Sequence, residues 1–444
     1  MALTEVGTLI RGRGGSKADA VSEGMPCIRY GELYTHHHEV VRRFHSFIPK
    51  DRASAYTALQ PGDVVFAGSG ETFEEIGKAA AFCGDTVAYT SGDTIVLRPG
   101  RSADGRFLGY AVNSASAARH KSRMGQGSSV IHISAKHIGE HRLRLPPLPE
   151  QRRIAEILDT LDDLIRKTEQ LIAKLRQVKQ GLLHDLLTRG IDENGELRDP
   201  ERHPEQFKDS LLGRIPKGWE VGGLLDLGSQ ERQPILTGPF GAQLGSHDFT
   251  ESGVPVLRIG NVQWGFLDLS TLKHVTPQKA GSLSRFRVRR GDLLFARQGA
   301  TTGRNALADE RADGFLINYH IIRVATDPAI CAPTYLYSVF NSPIVQTQVD
   351  REKGRSTREG VSTKTLTSFV LPIPTLEEQQ RTSCVIEAHD ERQANEERNL
   401  DKLRRLKSGL MEDLLTGRVR VTTLDSESSD PHFVPQTPIS EPAA

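Results

Sequence analysis

Cysteine is scarce in this 444-residue chain, and its four cysteines, Cys27, Cys83, Cys331 and Cys384, are far apart. They form no CxxC pair, so the sequence carries no recognisable zinc motif, and their scatter fits a reducing compartment. No apolar stretch approaches the ~18 residues of a membrane span, and the N-terminal residues lack the apolar core of a signal peptide. We therefore expect a cytoplasmic protein that makes no membrane contact.

Motifs for catalysis and phosphate binding are also missing. There is no GxxxxGK[ST] loop, and residues 12–17 (GRGGSK) have the wrong spacing for one. His36 to His38 are consecutive and face different ways, so an exposed polar loop is favoured over a metal site. Asp63 and Asp292 each follow a glycine and precede an apolar run, which a turn explains without catalysis. We expect no catalytic residue, no bound metal and no cofactor in this chain.

The chain does contain a long internal repeat. Residues 150–188 align without a gap on residues 378–416, with 15 of 39 positions identical, including the Glu-Gln at the start and the Asp-Leu-Leu-Thr at the end. A repeat at this spacing is too long for a solenoid and indicates two copies of a whole module.

Both copies are predicted to be long helices, because apolar residues recur at heptad spacing and no proline interrupts them. We expect the helices to pack on each other as an antiparallel coiled coil; the alternative is that each packs only on its own domain. In the first copy one heptad position holds Ile154, Leu161, Leu175 and Leu182, and the position three residues further holds Ile157, Leu164, Leu171 and Val178. In the second copy the corresponding apolar residues are Val385, Leu403, Leu406 and Leu410.

Each long helix follows a globular region of short apolar runs separated by glycine and proline. In the first region these runs predict strands at 27–30, 63–66, 86–89 and 94–97, with one helix at 71–82. The second region repeats the landmarks: residues 254–261 answer 25–32, and residues 288–296 answer 59–67. The fold class is therefore predicted as α+β, with two mostly β domains, two long helices and a pseudo-twofold internal repeat. The predicted division is a first globular domain at 1–147, a helix at 148–190, a linker at 191–214, a second globular domain at 215–374, a helix at 375–417 and a disordered tail at 418–444.

Polar, basic and aromatic residues cluster in both globular regions, each of which has a small excess of basic residues. Arginine and lysine can hold phosphates, and arginine, glutamine and asparagine can also contact base edges, so these clusters are candidate DNA-binding residues. Any single one could instead be a solvated surface charge. In the first region they are Arg29, Tyr30, Tyr34, His36, His37, Arg119, Lys121 and Arg123. In the second they are Gln243, Arg258, Asn261, Gln263, Arg297, Gln298, Arg304, Lys353, Arg355 and Arg358.

The whole chain resembles the specificity subunits of type I restriction-modification enzymes. The resemblance rests on residues 215–220 (IPKGWE), residues 237–241 (TGPFG), the Arg-Gly-Asp-Leu-Leu-Phe run at 290–295, and the repeated proline exit into a Glu-Gln helix. It covers about residues 1 to 420. It implies that each globular region is a target recognition domain reading one half of a bipartite double-stranded DNA sequence, while the helices set the separation of the half-sites.

The resemblance further implies a subunit without catalysis of its own, which takes part in defence against foreign DNA. Adenine methylation with S-adenosylmethionine would belong to two modification subunits, and translocation and cleavage with ATP and Mg²⁺ to restriction subunits. Two alternatives are a nuclease or methyltransferase fused to a recognition module, and a scaffold that binds proteins. Against the first, the sequence has no Asn/Asp-Pro-Pro-Tyr methyltransferase motif.

Overall fold

The computed structural model describes residues 1–15, 19–353 and 360–421. The chain divides into two units: unit 1 comprises residues 1–169 and the chain from 398 onward, and unit 2 comprises residues 170–397. Each unit therefore contains one globular region and a part of both long helices.

In its described residues before the first long helix, unit 1 has ten short strands and five short α-helices. The strands are β1 (Gly7–Arg11), β2 (Met25–Ile28), β3 (Ser46–Ile48), β4 (Thr57–Leu59), β5 (Val64–Ala67), β6 (Ser69–Gly70), β7 (Ala79–Ala81), β8 (Ala88–Thr90), β9 (Thr94–Pro99) and β10 (Ile131–His132). The helices are α1 (Leu3–Val6), α2 (Glu32–Thr35), α3 (Gly105–Ala111), α4 (Ala115–Met124) and α5 (Ala135–Gly139). The long helix α6 follows at Leu148–Thr188.

The strands of unit 1 form two four-stranded sheets, in the orders β1-β9-β5-β7 and β3-β2-β8-β4, and a two-stranded pair of β6 and β10. The pairing of β2 with β8 is parallel, and the other pairings in these two sheets are antiparallel. The side chains of β5 are buried on both faces. This explains why its sequence, VVFA, is a continuous apolar run rather than an alternating one.

Outside residues 354–359 and besides its parts of the long helices, unit 2 has twelve strands and four short α-helices. The strands are β11 (Phe207–Ser210), β12 (Gly213–Pro216), β13 (Glu220–Gly222), β14 (Ile235–Thr237), β15 (Phe249–Thr250), β16 (Val254–Leu257), β17 (Lys273–Val275), β18 (Leu293–Ala296), β19 (Asn305–Leu307), β20 (Leu316–Ile317), β21 (Ile321–Val324) and β22 (Leu371–Ile373). The helices are α7 (Pro277–Ser282), α8 (Pro333–Phe340), α9 (Pro343–Lys353) and α10 (Thr363–Thr367), and the long helix α11 spans Leu376–Thr416.

The two globular regions have the same topology, which confirms the predicted internal repeat. The sheet order β14-β21-β18-β19 in unit 2 corresponds to β1-β9-β5-β7 in unit 1, and the parallel pair β16 and β20 corresponds to β2 and β8. Capping also repeats: Ser134 accepts a hydrogen bond from the third residue of α5, and Ser362 does the same in α10. Both predicted landmark alignments fall on equivalent strands.

One predicted helix in unit 1, at 71–82, is wrong. The structure has turns followed by β7, where Ala79, Ala80 and Ala81 are fully buried and pair with β5. Alanine has the highest intrinsic helix propensity, but the small side chains at these positions fit between β5 and α3, and tertiary packing overrides the local preference. The structure instead has α3 and α4 at positions where no helix was predicted.

The long helices pack against each other in antiparallel orientation within each unit, as predicted. In unit 1, Asp162 and Glu169 of α6 form ion pairs with Lys407 and Arg404 of α11, at 2.6 and 2.7 Å. In unit 2 the pairs are Arg176 with Glu397 and Lys179 with Asp390, at 2.7 and 2.5 Å. Partners later in α6 lie earlier in α11, which defines the antiparallel orientation. Residues of both helices also join the buried core of each unit.

The predicted heptad register is correct at one seam position and wrong at the other. Ile154, Leu161 and Leu175 are buried, but the second buried series lies four residues after the first rather than three. It contains Leu158 and Ile172, while the predicted Leu164 and Val178 are 44% and 47% exposed. The same shift holds in α11, where Ile386 and Leu400 are buried and Val385 and Leu406 are exposed. Residues three and four positions apart both lie on the same face of a helix, so the two registers are hard to tell apart in a sequence. The register seen in the structure also includes polar residues such as Lys179 and Lys407, and these interrupt its apolar pattern. Of the other predicted seam residues, Ile157, Leu171, Leu182, Leu403 and Leu410 are half-buried.

A glutamate at the start of each long helix holds the segment that follows the other long helix. Glu378 accepts hydrogen bonds from Arg198 and from the backbone of Ile191, which both come after α6. Glu150 accepts hydrogen bonds from Arg420 and the backbone of Val421, which both come after α11. The next residues, Gln151 and Gln379, each donate to the proline that ends the preceding segment and to a loop of the globular region. The repeated Glu-Gln pair therefore fixes each globular region onto the helices of its own unit.

The segment predicted as a linker, 191–214, contains ordered structure. It includes β11 and the start of β12, and its residues Ile191 and Phe207 are buried. Of the segment predicted as a tail, residues 418–421 are described and include Arg420, which pairs with Glu150. The remainder, 422–444, lies outside the described residues.

Candidate nucleic-acid interface

Several strands of unit 2 end at one edge of the globular region. Three backbone hydrogen bonds join the chain segments there: Gly238 N to Ile321 O (3.1 Å), Asn318 N to Leu257 O (2.9 Å) and Arg297 N to His320 O (3.1 Å). They bring the residues that follow β14, β16 and β18 beside the loop between β20 and β21. We name this edge the strand-end face of unit 2, comprising Phe240, Arg297, Gln298, Tyr319 and His320.

The strand-end face of unit 2 combines exposed aromatic rings with a hydrogen-bonded polar pair. The Tyr319 ring lies 3.6 Å from the His320 ring and 5.7 Å from the Phe240 ring, measured between centroids. Phe240 is 56% exposed and Tyr319 is 38% exposed. His320 Nδ1 lies 2.8 Å from Gln298 Oε1. Exposed aromatic surface beside polar groups suits contact with nucleic acid, where bases offer both flat faces and hydrogen-bonding edges.

The charge state of His320 is set by its surroundings. Partial burial, together with the positive charge of Arg297, lowers the pKa of His320 below its usual value, so the ring is neutral at pH 7. Because a glutamine oxygen can only accept a hydrogen bond, Nδ1 must carry the ring proton and donate it to Gln298 Oε1. Nε2 is then left as a hydrogen-bond acceptor.

Unit 1 has the same strand-end architecture. Here the backbone bonds are Gly12 N to Thr94 O (2.8 Å), Ser91 N to Ile28 O (3.3 Å) and Gly68 N to Asp93 O (2.7 Å). Gly68, Asp93 and Thr94 also line a cleft of about 490 Å³. The strand-end face of unit 1 is our name for five of the lining residues: Arg11, Ser69, Asp93, His132 and Lys136.

The cleft in unit 1 has both polar and apolar lining, with two basic side chains, Arg11 and Lys136, at exposed positions. Ser69 Oγ and His132 Nδ1 are 2.9 Å apart and hydrogen-bonded. Asp93 has a positive φ of 58°, a conformation that aspartate tolerates better than most residues. The two strand-end faces therefore share a backbone arrangement and differ in their side chains.

Some sequence-predicted DNA-binding residues lie on or beside these faces. Arg297 and Gln298 belong to the strand-end face of unit 2, and Arg258 and Gln243 follow the strand end of β16 and Phe240. Arg29 and Tyr30 follow β2 in unit 1. The exposed members of the predicted set are Tyr30, His36, Arg119, Arg123, Gln243, Arg258 and Gln298, and the half-buried members are Arg29, Tyr34, Gln263, Arg297, Arg304 and Lys353.

Several predicted DNA-binding residues, including Arg297 of the strand-end face of unit 2, form hydrogen bonds within their own domain. Arg297 donates to the Val361 carbonyl (3.1 Å), and Tyr34 Oη donates to the Ser69 carbonyl (2.9 Å). Gln263 Oε1 accepts a hydrogen bond from Arg304 (2.9 Å). The polar groups of these residues are therefore already engaged inside the domain.

Three predicted DNA-binding residues are buried, and burial removes them from any contact surface. Lys121 is 4% exposed and donates to the Gly77 carbonyl at 2.6 Å. His37 is 2% exposed with Nε2 3.4 Å from Glu32, and Asn261 is 3% exposed. Asn261 caps its own turn and donates to the carbonyl of Asp268, so its polarity serves the loop. Their polar side chains gave no indication in the sequence that they lie inside the domain.

Two further predicted residues, Arg355 and Arg358, lie outside the described residues. Arg119 and Arg123 are on α4 rather than at a strand end. Sequence reasoning missed Arg11, Ser69, His132, Phe240, Tyr319 and His320. The signal that could have found them is positional: most of them end, begin or closely follow a short strand, where a shared sheet edge brings them together.

The two Gly-Asp turns have the structural role that the sequence suggested. Asp63 and Asp292 are buried, and each accepts a hydrogen bond from the backbone amide three residues earlier. Asp63 is paired with Arg98, and Asp292 with Arg232. Neither carboxylate lies on a strand-end face.

Residues 1–15, 19–353 and 360–421 contain neither a metal-binding cluster nor a bilayer-spanning helix. No group of three or more His, Cys, Asp or Glu side chains in that part of the chain is placed to hold a metal ion. No helix there is both long and apolar enough to cross a bilayer.

Comparison with known proteins gives one consistent result. A model of the type I restriction modification DNA specificity domain matches residues 1–177 and 216–405. The chain is 26% identical to the EcoKI specificity subunit of Escherichia coli K12, over 85% of this chain and 78% of that protein. It is 24% identical to the MjaVIII specificity subunit of Methanocaldococcus jannaschii, over 68% of this chain and 67% of that protein.

Solved structures share the fold. The S subunit of a type I restriction-modification system from M. genitalium superimposes with a TM-score of 0.57 at 14% identity, covering 94% of this chain and 95% of that one. A chain from a study of assembly and conformational transition of the type I system gives a TM-score of 0.55 at 18% identity, covering 94% of this chain and 97% of that one.

Proposed function

Since this chain belongs to the type I restriction modification DNA specificity family, we propose that it is the DNA-specificity subunit of a type I restriction-modification complex, in which each unit reads one half of a bipartite double-stranded target. The observation that supports this most directly is the pair of strand-end faces. The same backbone arrangement occurs twice and carries different side chains each time. Two readers of different half-sites need a common scaffold with divergent contact residues.

The chain itself carries no catalytic role in this proposal. Two modification subunits supply S-adenosylmethionine-dependent adenine methylation, and restriction subunits supply ATP- and Mg²⁺-dependent translocation and cleavage. The specificity subunit acts with them in the cytoplasm, where it contributes sequence-dependent affinity for DNA. Phosphate contacts from arginine and lysine position such a protein, and contacts to base edges select the sequence.

Long-read sequencing of methylated adenines in the source genome, with and without this gene, tests the proposal. We expect a bipartite motif that disappears when the gene is deleted. Exchanging residues 1–145 for those of another family member should change one half of the motif and leave the other intact. A motif that survives deletion of the gene, or changes in both halves after the exchange, would contradict the assignment.

A further inference from the structure

The two strand-end faces can be aligned residue by residue from their backbone hydrogen bonds. In unit 1, Gly68 donates to the Asp93 carbonyl and accepts from the amide of Ile133 (2.7 and 3.0 Å). In unit 2, Arg297 donates to the His320 carbonyl and accepts from the amide of Val361 (3.1 and 2.8 Å). The equivalent pairs on either side are therefore Ser69 with Gln298, Asp93 with His320, and His132 with Gly360.

Each unit places one hydrogen-bonded imidazole at this junction, but on a different segment of the chain. In unit 1 the ring belongs to His132, and Asp93 occupies the position of His320. In unit 2 the ring belongs to His320, and Gly360 occupies the position of His132. Both rings use Nδ1 for a neighbour from the equivalent position, Ser69 or Gln298. The imidazole Nε2 is left for another partner in both units.

From this arrangement we propose that His132 and His320 are specificity-determining residues, each contacting a base edge of its own half-site through Nε2. This inference rests on the proposed function and adds the residues that discriminate. In unit 2, Gln298 holds the proton on Nδ1, so Nε2 of His320 accepts a hydrogen bond. Its matching group is an exocyclic amine, which the major groove presents on adenine N6 and cytosine N4.

The surroundings of the two rings favour base contact over a purely structural role. His132 is exposed and lines a cleft of about 490 Å³ that the basic residues Arg11 and Lys136 also line. His320 is covered on one side by Tyr319 and has the exposed Phe240 nearby. A histidine used only for folding would be enclosed by protein, as His37 is at 2% exposure.

The test selects bound sequences from a randomised duplex DNA library, using the full chain assembled with its modification subunits. We expect His132→Ala to relax one base position in one half-site and His320→Ala to relax one position in the other, each by about tenfold in discrimination. The position read by His320 should carry adenine or cytosine on one strand in the wild-type motif. His203→Ala is the matched control, because His203 is exposed on the segment after α6 and belongs to neither strand-end face.

Gln298→Ala provides an independent variant at an exposed site, in case a histidine variant does not assemble. Without the Gln298 acceptor, the ring proton of His320 can sit on either nitrogen. The variant should therefore weaken the base preference at the same position that His320→Ala affects. If all variants assemble and select the unchanged wild-type motif, the inference is overturned while the proposed function stands. If the wild-type complex selects no motif at all, the proposed function itself fails.

Discussion

Glu150 and Glu378 occupy the same place in the two copies of the repeat but differ in the burial of their partners. Glu378 holds Arg198, whose side chain is 18% exposed, and the buried indole N–H of Trp219 at 3.0 Å. Glu150 holds Arg420, whose side chain is 55% exposed. Removing a carboxylate that faces a buried charge leaves the charge without a partner, whereas an exposed arginine regains water.

We therefore predict that Glu378→Ala lowers the free energy of unfolding by about 3 kcal/mol, the usual range for breaking a buried ion pair. Glu150→Ala should lower it by less than about 1 kcal/mol, because its partner remains hydrated. Urea unfolding followed by circular dichroism measures both. Equal losses in the two variants would show that the exposure of the arginine does not decide the cost.

Lys121 gives a second prediction, which concerns pH. Burial lowers the pKa of Lys121 to about 7, while in the unfolded chain the pKa lies near its ordinary value of 10.5. Below about pH 7 both states are protonated and the folded state bears the full cost of a buried charge. As pH rises from about 7 towards 10.5, the folded state releases its proton first, so stability increases.

Lys121→Met removes this cost, which is on the order of 5 kcal/mol. We expect the variant to exceed the wild type in stability at about pH 6 by that amount less about 1 kcal/mol for the lost hydrogen bond to the Gly77 carbonyl. The difference should shrink as pH approaches about 10. Arg123→Met, an exposed position on the same helix, serves as the control and should show no such trend. A wild type whose stability relative to Lys121→Met does not change with pH would refute the burial argument.

At the scale of single elements, one leucine of α11 lies in the seam of the coiled coil and another lies outside it. Leu400 is 9% exposed and Leu406 is 51% exposed, although the sequence-based register placed Leu406 in the seam. We predict that Leu400→Ala lowers the free energy of unfolding by about 2 to 3 kcal/mol, as expected for truncating a buried leucine. Leu406→Ala should lower it by less than about 0.5 kcal/mol. A larger loss of stability in Leu406→Ala than in Leu400→Ala, measured by urea unfolding, would support the register expected from the sequence instead.

The elements differ in how well the sequence predicts them, and the reason is physical. In the long helices the heptad spacing of apolar residues remains visible even where polar residues replace some of them. Their limits at Leu148–Thr188 and Leu376–Thr416 therefore lie within two residues of those predicted. The register of the seam was predicted wrongly because a lysine can pack its apolar stem into the groove between the helices, where the sequence pattern leads one to expect an apolar residue. The strand-end faces were mostly missed, since Tyr319 and Phe240 meet only through sheet pairing between distant segments.

At the scale of the whole molecule, both long helices contribute residues to both units. The boundary falls after Glu169 in α6 and after Glu397 in α11. The ion pairs and buried residues on each side of these points belong to one unit only. The helices are therefore the part of the chain where length can change without disturbing the contacts inside either globular region.

We predict that inserting one heptad after Glu169 and one after Glu397 lengthens the unread spacer of the DNA target without altering either half-site. Seven helical residues add about 10 Å, which corresponds to about three base pairs at about 3.4 Å each. Seven residues preserve the heptad repeat, and paired insertions keep the two antiparallel helices in register. Sequencing of methylated adenines reads the spacer directly. A seven-residue insertion in α6 alone is the control, and it should destabilise the protein because seam residues lose their partners. If the paired insertion leaves the spacer unchanged, the long helices do not set the separation of the half-sites.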